Sequence, residues 1–252
     1  MPLTVVDVGV NGAGVLASTD AARFLRAAVA GDEVGDLRVE DAMSEPTFAR
    51  AVMAGAGAVD ALPAEVVVVA LGEMGIGNTT AASAVAAMLL DARDAEADAL
   101  VGAGTGVTGA TLARKCAVVR DSLARVGQVR SPEEAVRRLG GRDIAALFGA
   151  AARACERGMA ILVDGFIVSA AVLALVRTSP ATRRSFFFAH RSAEPGHRRV
   201  LEALQARPLL DLGLRLGEAS GALLALPLLD HACALHARMA TFASAGVPEC
   251  LP

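Results

Sequence analysis

Glu65-Val66-Val67-Val68-Val69-Ala70-Leu71 runs directly into Gly72-Glu73-Met74-Gly75-Ile76-Gly77-Asn78-Thr79-Thr80, and an alanine-rich stretch from Ala81 to Leu90 follows. A short valine-rich run bounded by glycine is the pattern of a buried parallel strand. Strand, glycine loop and helix start in succession can hold an anion. Glycine lets the backbone come close, and the unpaired N–H groups of the first helical turn point at negative charge. Glu73 is out of place in a loop built for phosphate alone. It answers to a cation or a hydrogen-bond donor, or it is a solvated turn residue. A Walker loop requires Lys where Asn78 stands, and the dinucleotide fingerprint requires Gly where Thr80 stands. The loop is therefore phosphate-capable without an ATP or NAD signature.

The same alternation extends outward. Leu3 to Val10 reads as a strand, and a helix is expected at 20–29 and a short extended piece at 37–39. Ser44-Glu45-Pro46 and Ser131-Pro132-Glu133-Glu134 are helix starts with a cap and an early proline. A second glycine loop, Val101-Gly102-Ala103-Gly104-Thr105-Gly106, leads into a helix from about Thr108 to Val126. Gly140-Gly141 precedes another from Asp143 to Glu156. Met159 to Val176 is apolar enough to suggest a membrane span, but Asp164-Gly165 interrupts it. A strand Ala160–Val163 and a buried helix from Phe166 fit better. Ser185 to Ala189 is a further strand, and a polar loop, His190 to His197, leads into a helix to about Gln205. The tail is helical from about Glu218, with Pro227 expected to kink or divide it.

This order predicts an α/β fold, a Rossmann-like and mostly parallel sheet flanked by helices. A single domain is expected over residues 1–252, with C-terminal helices from about 222 forming a reduced small helical subdomain. Ligands of such sheets bind at the carboxyl ends of the strands. Glu73, Asp164 and His190 each follow a strand and are expected on one rim.

Composition narrows the function. The 252 residues are 54% apolar with a net charge of −3, and they contain no Trp or Tyr. That leaves neither a basic footprint nor aromatic platforms for nucleic acid. Cys116, Cys155, Cys233 and Cys250 form no CxxC pair, and the four histidines lack ligand spacing. No metal site or disulfide framework is indicated, and a reduced cytoplasmic protein is expected. The N-terminus lacks the pattern of a signal peptide. Lys115 lies about two turns into its helix, as a solvated lysine or a phosphate ligand. Ser192 is a phosphate donor or a helix cap. Arg215 and Glu218 are close enough to pair.

Taken together these segments resemble the nicotinate-nucleotide–dimethylbenzimidazole phosphoribosyltransferase family. Gly72–Thr80 (GEMGIGNTT) is similar to its signature, and its other motifs follow in order. They are Val6–Val10 (VDVGV), Gly102–Gly106, Leu112–Lys115, Gly140–Leu147 (GGRDIAAL), Val163–Ile167 (VDGFI), Ala189–His197 (AHRSAEPGH), Pro208–Glu218 (PLLDLGLRLGE) and Met239–Val247. Ala219-Ser220 stands where the family has Gly-Thr, and Ala103 where a larger residue is common.

The resemblance implies transfer of phosphoribosyl from nicotinate mononucleotide to 5,6-dimethylbenzimidazole or a similar base in cobalamin lower-ligand synthesis. It implies a homodimer without a cofactor, acting on these small molecules and on neither nucleic acid nor membrane. By resemblance Glu218 is the general base, and an apolar ring beside it would raise its pKa. Ser192, Lys115 and Arg215, with backbone around Gly75, are the implied phosphate contacts, and Glu73 is placed on ribose hydroxyls. Gly77, Asn78, Thr79, Gly104 and Asp164 complete the expected substrate site. The family's segment ahead of the VDVGV strand, which contributes to the base pocket, has no counterpart in these residues. An N-terminally short member is therefore expected. The alternative expectation is a non-catalytic or regulatory nucleotide-binding relative lacking the base half-site.

Overall fold

The computed structural model describes residues 2–10, 22–26, 34–104 and 106–247. Its central sheet has three parallel strands: β3 (Val68–Leu71), β4 (Ala160–Val163) and β5 (Phe186–Phe188), in that order. The register pairs Val68 with Ala160, Leu71 with Val163 and Ile161 with Phe186. β1 (Leu3–Asp7) and β2 (Ala22–Arg26) form a separate parallel pair. A parallel sheet with helical crossovers is the architecture expected, although its strands fall into two sheets.

Helices α1 (Glu45–Asp60), α2 (Asn78–Leu89), α3 (Asp94–Asp98), α4 (Gly109–Val126), α5 (Pro132–Leu139), α6 (Arg142–Glu156), α7 (Gly165–Thr178), α8 (Pro195–Ala203) and α9 (Ser220–Arg238) complete the elements. Local chemistry sets several boundaries. Ser44 Oγ accepts from Thr47 N–H at 3.2 Å, and Ser131 Oγ accepts from Glu134 N–H at 3.2 Å. Each satisfies a backbone donor that the helix leaves open. The apolar stretch from Met159 is β4 followed by α7, as expected. Residues Gly165 to Leu175 of α7 are buried throughout and pack against α2, α5, α6 and α8.

Three readings change. Within 20–29, the described residues Ala22–Arg26 form strand β2, because pairing with β1 overrides helical propensity. Residues 37–39 form a turn. Asp36 accepts from Arg38 N–H at 3.0 Å through Oδ1, and its carbonyl accepts from Val39 N–H at 2.8 Å. These local bonds replace an extended ladder. Pro227 lies inside one continuous α9 and does not divide it. In addition, the short helix α3 stands between α2 and the second glycine loop.

α1 crosses α6 where each presents a glycine. A Cβ at Gly55 would overlap Ala146 O, and one at Gly149 would overlap Val52 O. The two backbones touch directly, so no side chain can be inserted without separating the helices. Gly57, on the same helix, has open space around it.

We expect Gly149→Ala to lower unfolding free energy by about 2 kcal/mol in chemical denaturation. Gly57→Ala should instead raise it by about 0.5 kcal/mol, because it adds helix propensity without a clash.

Candidate active site

The parallel ladder delivers Glu73, Asp164 and His190 to the carboxyl end of the sheet. Asp164 and His190 are each 2% exposed, and His190 Nε2 lies 3.3 Å from Asp164 Oδ1. The same Oδ1 accepts from Ala222 N–H at 3.0 Å, which ties the first turn of α9 to the end of β4. A Cβ at Gly221 would overlap the His190 ring, so α9 approaches this pair as bare backbone.

The loop ahead of α9 closes on the opening glycine loop. Glu218 N–H donates to the Glu73 carbonyl at 3.0 Å. A Cβ at Gly72 would overlap Ala219 N, and one at Gly217 would sit 2.9 Å from Glu73 Oε1. Gly217 also has φ +87°, which favours glycine. Glu218 and Ala219 follow at φ +59° and +60°. Two successive non-glycine residues in the left-handed region are strained backbone, held by this interlock.

Asn78 starts α2. Its side-chain amide donates to Glu73 Oε2 and, at 2.9 Å, to Asp143 Oδ2 at the start of α6. Burial raises Glu73 to about 7. The Asn78 bond acts against that, and the charges of Asp143, Asp164 and Glu218 add to it.

Beside this cluster, Lys115 Nζ donates to Gly102 O at 2.7 Å and to Thr79 Oγ1 at 3.0 Å. An ammonium has three N–H donors, so one remains for a ligand. Burial lowers Lys115 from its ordinary range, and the Glu194 charge opposes that. Glu194 Oε1 accepts from Gly104 N–H at 2.9 Å and links the second glycine loop to the loop before α8. Glu194 N–H donates to Ser192 Oγ at 3.3 Å, and Ser192 N–H donates to His197 Nδ1 at 2.8 Å. The His197 proton is thereby on Nε2, facing Ser169 Oγ at 2.9 Å, which itself donates to Gly165 O at 2.6 Å. Burial, with the neighbouring His190 acting in the same direction, lowers the His197 ring to about 3. Asp164 Oδ2, His190 Nδ1 and Glu194 Oε2 are buried and have no hydrogen-bond partner among the described residues. No group of His, Cys, Asp and Glu there has metal-site geometry.

A family profile described as "Phosphoribosyltransferase" matches residues 1–247. The nicotinate-nucleotide–dimethylbenzimidazole phosphoribosyltransferase of Pseudomonas aeruginosa is 60% identical over 179 residues, covering 71% of this chain and 50% of the relative. That of Xanthomonas axonopodis is 53% identical over 178 residues, with the same coverages. The crystal structure of CobT from Thermus thermophilus matches with a TM-score of 0.87 at 40% identity, covering 97% of this chain and 71% of that one. A second crystal structure from that organism, of the dimethylbenzimidazole phosphoribosyltransferase, gives 0.83 at 39%, covering 97% of this chain and 70% of that one.

The chain belongs to the nicotinate-nucleotide–dimethylbenzimidazole phosphoribosyltransferase family. It spans about half the length of the curated members it matches. Of the residues expected at the family's site, Glu73, Gly75, Gly77, Asn78, Thr79, Gly104, Lys115 and Glu218 sit around the two glycine loops and the loop ahead of α9. Asp164 stands behind them, and Ser192 joins through Glu194. Arg215 is set apart: it is exposed and makes no ion pair among the described residues, so the pairing with Glu218 that their closeness in sequence allowed is absent. Glu218 is also exposed. The chain itself does not shield it, and the carboxylate that burial raises is Glu73. The Gly104 N–H is taken by Glu194, and both Asn78 amide protons are taken by carboxylates. Reading the sequence missed Asp143 and Glu194, although both lie inside motifs that it quoted.

Glu73 carries a stability signature. Its folded pKa of about 7 exceeds the ordinary 4.5, so the unfolded chain gives up this proton first. Its contribution is complete below pH 4.5 and is lost as pH rises through 7. Glu73→Gln should therefore gain about 2 kcal/mol over wild type at pH 8 and almost nothing at pH 4.5, measured by denaturant titration at both pH values.

Proposed function

We propose that this chain transfers the phosphoribosyl group of β-nicotinate mononucleotide to 5,6-dimethylbenzimidazole or a similar base. The products are α-ribazole 5′-phosphate and nicotinate. The observation that carries this reading is the interlock of the Glu73 and Glu218 loops beside Lys115. It brings the Glu73 and Glu218 loops together, while Lys115, with one donor unspent, is bonded to Thr79 at the start of the helix that follows the Glu73 loop.

In this reading Glu218 takes the N–H proton of the base while its other ring nitrogen attacks the anomeric carbon. The bond from that carbon to the nicotinate nitrogen breaks, nicotinate leaves with the electron pair, and the anomeric configuration inverts. Positive charge develops on the ribosyl ring as the bond opens, and nearby carboxylates stabilise it. Glu73 receives the ribose hydroxyls. The 5′-phosphate meets the free Lys115 donor, Ser192, and the first-turn N–H groups of α2 behind Gly75 and Gly77. Arg215, exposed and without an ion-pair partner among the described residues, reaches it as well. The aromatic base supplies the shielding that Glu218 lacks. The same reading carries the expectation of a cytoplasmic homodimer.

Incubating the protein with nicotinate mononucleotide and dimethylbenzimidazole should yield α-ribazole 5′-phosphate by liquid chromatography. Folded protein that binds the nucleotide in calorimetry yet gives no product would overturn the reading. Glu218→Gln should reduce kcat by about 100-fold or more with nucleotide affinity nearly unchanged. Lys115→Ala should weaken nucleotide binding by about 10-fold or more, since it removes a charged donor to phosphate.

A further inference from the structure

Two neighbours of Glu73 take no part in the proposed transfer step. A primary amide carries two N–H donors, and Asn78 directs its NH₂ group at two carboxylates from different elements, Glu73 after β3 and Asp143 on α6. Both partners are acceptors, so only the NH₂ end of the amide can face them. Gly75 makes the room: a Cβ there would lie 3.0 Å from both Asn78 Nδ2 and Asp143 Oδ2. Asn78 is 9% exposed.

The remaining groups around Glu73 are also acidic. Asp164 approaches from the end of β4 with His190 at its side, and Glu218 from the loop ahead of α9. The Glu218 N–H reaches the main-chain carbonyl of Glu73 and leaves its carboxylate alone. Among the described residues, Asn78 is the one side-chain donor hydrogen-bonded to that carboxylate. Arg142, next to Asp143, packs its guanidinium against Gly9.

We propose that Asn78 and Asp143 act as a positioning pair: the amide holds the Glu73 carboxylate in place, and the Asp143 charge beyond it controls how readily Glu73 takes a proton. The role for Glu73 rests on the proposed function, since a carboxylate receives the two ribose hydroxyls best when ionised. The pair then sets the pH range over which nucleotide binds. The two members act in opposite directions. Losing the Asn78 donor destabilises the ionised form, whereas losing the Asp143 charge stabilises it.

The test is a ¹³C titration of glutamate-labelled apoprotein, with the Glu73 signal assigned by its loss in Glu73→Gln. Calorimetric affinity for nicotinate mononucleotide is measured across the same pH range. The Glu73 midpoint should move up in Asn78→Ala by about half a pH unit and down in Asp143→Asn by a similar amount. The pH at which nucleotide affinity falls should follow each shift. Asn78→Ser replaces Asn78→Ala if the latter does not fold by circular dichroism. Midpoints that stay put or move in the same direction overturn the proposal, as does an affinity profile that ignores them. Opposed midpoints in a protein that makes no α-ribazole phosphate uphold the pair and reject the reaction.

Discussion

Parallel pairing brings like ends of strands to the same side. Because β3, β4 and β5 run the same way in one register, the residues that follow them have no choice of rim. Glu73, Asp164 and His190 arrive together without any of them attracting another. The buried helix α7 leaves the same rim, and α2, α5, α6 and α8 pack around it. Without that common direction Glu73, Asp164 and His190 would not share a rim.

The sheet supplies a rim, and bare backbone closes it into a site. Gly72 admits Ala219, Gly217 admits Glu73, and Gly221 admits His190. Each contact brings the chain after residue 215 closer than side chains would permit. That closeness carries strain at Glu218 and Ala219, both left-handed without being glycine. The strain is local, and it sits at the residue proposed as the general base. It fixes the direction in which Glu218 leaves the backbone, which is one use of an unfavourable conformation at a functional position.

Strand, loop and helix around Gly72–Thr80 were legible because burial on both faces of a parallel strand leaves a plain valine run. Ser44 and Ser131 were legible because a cap acts on its own helix. Asp143 and Glu194 were not, because their partners lie 65 and 90 residues away in the chain, at Asn78 and Gly104. Periodicity carries no record of such distances. β2 was misread for a related reason, since pairing with a distant strand decided its state. Arg215 and Glu218 are close enough in sequence to pair, but the chain turns through the left-handed Gly217 and Glu218 and no ion pair forms among the described residues.

The crossing of α1 and α6 has a consequence at the level of the genetic code. Every single-base change in a glycine codon is silent, is a stop, or encodes a residue with a Cβ. At Gly55 and Gly149 that Cβ would land on the backbone of the opposing helix. Neither position has a neutral amino-acid neighbour one mutational step away. At these two positions the crossing can change only if the helices move apart.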